Sequence, residues 1–276
     1  MRIVIGLDVG GSTTKVVGFR DGEMLQSTLV QANDPLASAY GGVGKFLDLN
    51  SIRLGDVNRI VATGVGSSYL GPQLLERETR LAPEFDSVGL GGLYLAKREQ
   101  AIVVSMGTGT SFVYAAGQNV QHIIGSGVGG GTLLGLGQAI LHSQSFETIA
   151  ELAETGDLGM TDLTIGDISR IEIPGLSADT TASNFGNLDD QAGQADLAAG
   201  IVNLVYQSVG TAAILTARLM NQESIVFTGN LTRLPKGREV LQLFGQLYQK
   251  EIIIPQEAEF ATAVGAALYG RYHELS

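Results

Sequence analysis

The segment Asp8-Val9-Gly10-Gly11-Ser12-Thr13-Thr14-Lys15 gathers one carboxylate, two glycines, three hydroxyls and a lysine between two short apolar runs, Ile3–Leu7 and Val16–Phe19. This reads as strand, tight turn, strand. Glycines free the backbone to turn its N–H groups toward an anion. Hydroxyls add donors, Lys15 adds positive charge, and Asp8 can hold a hydrated divalent cation. Such a turn suits the phosphates of a nucleotide. Taken alone, it equally suits a plain β-hairpin, which glycine pairs often close.

The pattern recurs. Ser105-Met106-Gly107-Thr108-Gly109-Thr110-Ser111 follows the apolar strand Ala101–Val104 and leads into Phe112-Val113-Tyr114. A third cluster, Gly125-Ser126-Gly127-Val128-Gly129-Gly130-Gly131-Thr132, opens an apolar helical stretch through Ile140. N–H groups left open at a helix start attract anions. A fourth, Thr228-Gly229-Asn230-Leu231, ends the strand Ile225–Phe227. Strand–glycine loops in both halves of the chain, with a late glycine turn, fit a nucleotide clamped between two lobes. One glycine motif is weak evidence for this; the set is specific.

Transfer of a phosphoryl group to an alcohol needs a base beside the acceptor hydroxyl. Glu84, in Pro83-Glu84-Phe85-Asp86, precedes an expected helix with Asp86 as its N-cap. Composition alone does not lift Glu84 above the other acids. His122 lies in an apolar stretch just before the third glycine cluster, and a lone histidine there is more often structural. His142 and His273 have no metal-ligand spacing with it or with each other. The polar stretch Thr180–Gly186 fits a ligand contact or a loop turn equally.

At 276 residues and 28.9 kDa, the chain can bury a sizeable core as one large or two small domains. The net charge of −11, with no basic patch interleaved with aromatics, argues against nucleic acid as a partner. A nucleotide needs only local positive potential. With no cysteine there is no disulfide, thiolate zinc site, iron–sulfur ligation or thiol catalysis. The most apolar helical candidate, Leu197–Met220, is interrupted by Asn203, Gln207 and Ser208, so a buried helix is expected there and no membrane partner. A cytoplasmic protein is expected.

The expected elements are strands at Arg2–Leu7, Thr14–Phe19, Met24–Val30 and Arg59–Thr63, and helices at Asp34–Leu49 and Asp86–Arg98. At Ala101 the strand–turn–strand pattern restarts and ends with Val120–Ile124. Phe146–Ile173 reads as helical with a break at Gly156, followed by a looped Ser177–Leu188. A long helix near Ala195–Met220, strands at Ser224–Phe227 and Ile252–Pro255, and helices at Gly237–Tyr248 and Ala261–Tyr272 complete the chain. An α/β fold of two related lobes follows, with mixed sheets flanked by helices. The lobes are expected at 1–98 and 99–260, the final helix within 261–276 packing back on the first.

These loops together resemble the superfamily of sugar kinases, heat-shock chaperone ATPases and actin, which implies a two-lobed actin-like (ribonuclease H-like) fold. The ordered segments G-L-D-V-G-G-S-T-T-K, P-E-F-D, S-M-G-T-G-T-S, G-x-G-G-G-T-x-x-G-L-G and T-A-S-N-F-G resemble type II pantothenate kinases. That resemblance runs from Gly6 to Phe185 and more loosely to Gly265. It implies phosphorylation of the primary hydroxyl of pantothenate with ATP and Mg²⁺, the entry to coenzyme A. Glu84 matches the family's catalytic base. Asp8, Gly10, Gly11, Ser12, Thr13 and Lys15 match its first phosphate loop, with Asp8 toward the metal. Gly107, Thr108, Gly109 and Ser111 match its second loop, and Gly129, Gly130 and Gly131 its nucleotide-facing cluster. Gly229 stands at the late glycine turn, and Ser105 and His122 are expected toward the acceptor. The resemblance also implies a homodimer built on the long helix near Ala195–Met220.

One position departs from the pattern. Where the family typically carries an arginine that contacts the pantothenate end of the substrate, this chain has His122. Arginine is permanently charged and binds bidentately; an imidazole is shorter and mostly neutral at pH 7. The alternatives are a kinase of another small alcohol or pantothenate analogue, and a non-catalytic nucleotide-binding regulator. An ATP-driven activator of the acyl-CoA dehydratase kind would need cluster-ligating cysteines, which the chain lacks.

Overall fold

The computed structural model describes residues 3–11, 13–31, 33–171 and 173–273. The chain runs β1 (Ile3–Val9), β2 (Thr13–Arg20), β3 (Glu23–Met24), β4 (Thr28–Gln31), α1 (Pro35–Leu49), β5 (Val57–Thr63), β6 (Gln73–Leu74), β7 (Arg77–Leu81) and α2 (Glu84–Ala96). It continues through β8 (Gln100–Met106), β9 (Thr110–Ala116), β10 (Asn119–Ser126), α3 (Gly130–Leu136), α4 (Phe146–Thr155), β11 (Leu163–Thr164), α5 (Ile165–Ile168) and β12 (Thr181–Ser183). It closes with α6 (Gln194–Leu219), β13 (Ser224–Thr228), α7 (Pro235–Tyr248), β14 (Glu251–Ile253) and α8 (Ala261–Tyr272).

A seven-stranded mixed sheet takes the order β3-β2-β1-β5-β7-β6, with β4 also paired to β2; a five-stranded sheet takes the order β10-β9-β8-β13-β14. The near-continuous apolar runs of β1 and β8 fit strands covered on both faces. Alternate residues of β1 divide accordingly. Ile3, Ile5, Leu7 and Val9 pack with Val43 and Phe46 of α1, while Val4 packs with Val264 and Ala267 of α8. Helix α1 starts where the sequence signals it, at Pro35, with Asp34 accepting from the Ala37 N–H at 2.7 Å.

Between the sheets lie α2 and α8. Helix α8 covers β1 and β5; α2 covers β8, β9 and β10. The two helices cross at backbone distance: a Cβ on Gly91 would fall 1.7 Å from the Ala261 carbonyl oxygen, and one on Gly265 1.7 Å from that of Ser87. The small residues expected to pack closely in the last helix therefore meet α2. On the outer face of the second sheet, α6 buries Val202, Val205, Tyr206 and Val209 against Val104, Phe112 and Phe227. By length and composition α6 would suffice for a membrane span, but 67% of its apolar window is buried inside the protein.

Three expectations are corrected. Phe146–Ile173 is not one broken helix: α4 ends at Thr155, and a short turn, β11 and α5 follow. Gly156 lies against α6, where a Cβ would stand 2.1 Å from the Ala195 carbonyl oxygen, so the chain turns away there. Buried Asp162 then fixes the loop, accepting from Asn203 Nδ2 at 2.6 Å, Asn184 Nδ2 at 3.1 Å and the Phe185 N–H at 3.0 Å. The T-A-S-N-F-G segment is thereby tied to α6. Asp86 is not an N-cap, because α2 starts two residues earlier at Glu84, with Pro83 before it. The single strand expected at Met24–Val30 is two short ones, β3 and β4, both on β2.

Candidate active site

Antiparallel pairing sets Asp8 opposite Lys15, and parallel pairing sets Asp8 beside Thr63. Residues in register on adjacent strands share one face of a sheet, so the three side chains form a row. Lys15 Nζ lies 3.7 Å from Asp8 Oδ2. Burial pushes the Asp8 carboxyl above its ordinary pKa, and Lys15 pulls against that shift. Strands β1, β5 and β7 run parallel, and ligands of open sheets gather at the carboxyl ends of such strands. At those ends stand Asp8, then Thr63-Gly64, then the Pro83-Glu84 entry into α2. Glu84 is open to solvent, yet desolvation by its surroundings raises its pKa, and the Asp8 charge raises it further.

The turn Gly10–Thr13 is closed by the Gly10 N–H donating to Thr13 O at 2.9 Å. A Cβ on Gly11 would meet nothing within 4 Å, so this glycine faces open space. Ser12 lies outside the described residues. Two groups at this edge escaped the sequence reading. Thr63 is 1% exposed, and its hydroxyl has no hydrogen-bond partner among the described residues. Gly64 adopts φ +86°, and a Cβ there would stand 2.7 Å from Asp8 Oδ1. Only glycine takes that turn against the carboxylate. The apolar β5 run ending in Thr63-Gly64-Val65-Gly66 repeats the strand–glycine signal.

The second glycine group assembles around the end of β8. Gly130 N–H donates to Gly107 O at 2.9 Å and Gly131 N–H to Thr108 O at 2.8 Å. Val128 N–H donates to Ser126 Oγ and Gly129 N–H to Thr132 Oγ1. The N–H groups expected to be open at this helix start are therefore already satisfied. The cluster instead permits close approach: a Cβ on Gly129 would lie 2.8 Å from the Thr108 and Gly109 carbonyl oxygens. By contrast, the N–H groups of Gly107, Thr108 and Gly109 donate to nothing among the described residues. This loop, and not the glycine cluster, has N–H donors left to offer an anion, and the glycine cluster packs against it. Gly229, at φ +90°, backs it from the other side, where a Cβ would stand 2.5 Å from Met106 O. Ser105 pairs with Ser111 and with Thr228 in the strands beneath.

Among the described residues no hydrogen bond or ion pair joins the Asp8 group directly to the Gly107 group. Helix α2 connects them. Phe85, next to Glu84, stacks on His122 of β10 with ring centroids 3.9 Å apart and planes 17° apart. His122 is thus held against the residue that follows Glu84, a contact that sequence reasoning did not foresee.

Two glycine–hydroxyl loops on two mixed sheets, with a pair of helices between them, give the fold of the actin-like ATPases. Solved structures agree on the fold. The (R)-2-hydroxyglutaryl-CoA dehydratase component A of Acidaminococcus fermentans aligns with TM-score 0.72 at 20% identity, covering 100% of both chains. A ROK family glucokinase from Streptomyces griseus, in complex with glucose and AMPPNP, aligns with TM-score 0.63 at 13% identity, over 98% of this chain and 99% of its own.

Sequence relatives narrow the class. The family model described as Fumble matches residues 99–266. The type II pantothenate kinase of Staphylococcus saprophyticus is 30% identical over 236 residues, 82% of this chain and 84% of its own. That of Bacillus cereus strain G9842 is 28% identical over 280 residues, 98% of this chain and 99% of its own. The chain belongs to the Fumble family, that of the type II pantothenate kinases.

Proposed function

We propose that this chain is a pantothenate kinase, transferring the γ-phosphoryl group of ATP to the primary hydroxyl of pantothenate in the first step of coenzyme A biosynthesis. The observation that carries the mechanism is Glu84, an accessible carboxyl at the entry of α2, where the parallel strands end and within the electrostatic reach of Asp8, its pKa raised by its surroundings. A raised pKa makes it a better proton acceptor than an ordinary glutamate. Glu84 takes the proton of the acceptor hydroxyl as its oxygen attacks the γ-phosphorus. The bond to the β–γ bridging oxygen breaks, and ADP leaves with that electron pair. The open N–H groups of Gly107–Gly109 and the Lys15 ammonium hold phosphate oxygens through the transfer.

Mg²⁺ fits this site as a partner of the nucleotide. Asp8 offers it one carboxylate, and Mg²⁺ usually takes most of its ligands from phosphates and water. When bound, the ion neutralises phosphate charge. The reading also places ATP as the nucleotide, a homodimer packed on α6, where Leu215 and Leu219 present exposed side chains, and a cytoplasmic enzyme without a nucleic-acid or membrane partner. His122 favours keeping a second reading, a kinase of another small alcohol, because a stacked imidazole stands where the family pattern has a guanidinium.

A panel of small alcohols with ATP and Mg²⁺, read by ADP release, separates the two. Pantothenate is expected to give the highest kcat/KM. Release with another alcohol and none with pantothenate would replace the first reading by the second.

A further inference from the structure

Phe85 has no part in the mechanism above, yet three features converge on it. It is the second residue of α2, adjoining Glu84. Its ring lies nearly parallel to the imidazole of His122, with centroids 3.9 Å apart. And β10 is built to deliver that imidazole. Pairing with β9 runs through His122–Val113, skips Ile123 and resumes at Ile124–Phe112. Such a bulge bends a strand and re-aims its side chains. Helix α2 is also set unusually close to this strand, since a Cβ on Gly89 would fall 2.8 Å from the Val120 side chain.

Stacking covers one face of the imidazole and fixes its torsions, leaving the nitrogen-bearing edge for a ligand. A Cβ on Gly125 would stand 4.0 Å from His122 Nε2, so glycine there keeps bulk away from that edge. An exposed histidine held by an aromatic ring has already lost much of the rotamer freedom that binding would otherwise cost.

We propose that Phe85 is a positioning residue for the acceptor. It holds His122 so that the imidazole edge hydrogen-bonds a carboxylate or amide oxygen at the end of the acceptor remote from the reacting hydroxyl. This rests on the kinase reading above. It places acceptor recognition and proton removal on adjacent residues of one helix turn: Phe85 acts through His122, and Glu84 on the hydroxyl. The stack ties the start of α2 to β10 of the sheet it covers.

The test is steady-state kinetics on four full-length variants: Phe85→Leu, Phe85→Tyr, His122→Ala and the Phe85→Leu/His122→Ala pair. Phe85→Leu retains apolar bulk but loses the flat face. It is expected to raise the KM for pantothenate about tenfold, the scale of one well-formed hydrogen bond, with kcat and the KM for ATP within about twofold of wild type. Phe85→Tyr should restore the wild-type KM. The double variant should match His122→Ala, because both changes remove one shared contact. Independent, multiplying effects would overturn the proposal. So would an unchanged KM in Phe85→Leu, or a fall in kcat alone, which would make Phe85 a support for Glu84. If the alcohol panel returns another acceptor, the pantothenate reading falls, and the same variants are read against that alcohol. The KM pattern reappearing there upholds the role of Phe85, and its absence ends it.

Discussion

Glu84, at the start of α2, lies within the electrostatic reach of Asp8 as a like charge, and both carboxyl pKa values are raised in the fold, chiefly by desolvation. A raised folded-state pKa means that folding favours the protonated form. The stability such a group contributes is full below its ordinary value, 4.5 for Glu84, and is lost as pH rises through the higher folded value. Catalysis asks for the ionised form, so the site holds a charge that folding disfavours. Glu84→Gln should lower kcat by roughly 10²–10⁴-fold while ATP affinity stays near wild type. It should also raise Tm at neutral pH, and the gain should shrink as the pH falls toward the carboxylate range. Calorimetric melts of both proteins from about pH 4 to 8 check the second half. A variant with wild-type kcat would remove Glu84 from the mechanism. A Tm gain that grew toward acid would contradict the desolvation argument.

At the scale of elements, the second phosphate loop depends on glycine for space. A Cβ on Gly109 would lie 2.8 Å from the Ser126 carbonyl oxygen, and backbone oxygens do not give way as side-chain tips do. Gly109→Val should therefore shift the loop off the end of β10 and weaken binding of a non-hydrolysable ATP analogue by at least about tenfold, the scale of one lost charge-assisted hydrogen bond. Gly127→Ala, where a Cβ meets nothing within 4 Å, is the matched control. Titration calorimetry on folded variants decides it; equal affinity in Gly109→Val would undercut the loop.

The strand–glycine loops were legible in the sequence because their chemistry is local: an apolar run, a glycine turn and hydroxyls within a few residues. What stayed hidden was non-local. Strands β6 and β7 carry Arg77, Glu78 and Arg80 near the sheet edge, and nothing in Gln73–Leu81 alternates clearly enough to mark them. The engaged N–H groups of Gly130 and Gly131 depend on carbonyls more than twenty residues earlier in the chain. The Phe85–His122 stack joins two elements that no spacing rule relates. Thr63-Gly64 is the exception, since it repeats a signal already recognised elsewhere in the chain.

At the scale of the whole molecule, everything hinges on the α2–α8 crossing. One of the two helices carries Glu84 and lies on the second sheet; the other lies on the first sheet, beneath Asp8. The residues that let them meet are Gly91 and Gly265, each facing a backbone carbonyl of the opposite helix at a distance where no Cβ fits. Overpacking a core typically costs about 1–3 kcal/mol and occasionally more. Here no flexible side chain can absorb the strain, so Gly265→Ala should reach the upper end. For a chain of this size that is a fall in Tm of roughly 6–12 °C. Gly41→Ala makes the opposite case. Gly41 is an exposed residue of α1 with nothing within 4 Å of a built Cβ, and there alanine should raise Tm by a few degrees through helix propensity, worth about 1 kcal/mol. Both are glycine-to-alanine changes inside helices, so propensity alone predicts a rise for each. Opposite signs in thermal melts would locate the constraint in the crossing. A Tm for Gly265→Ala at or above wild type would show that the two helices can separate without cost, and the placement of Glu84 against Asp8 would then need another source of rigidity.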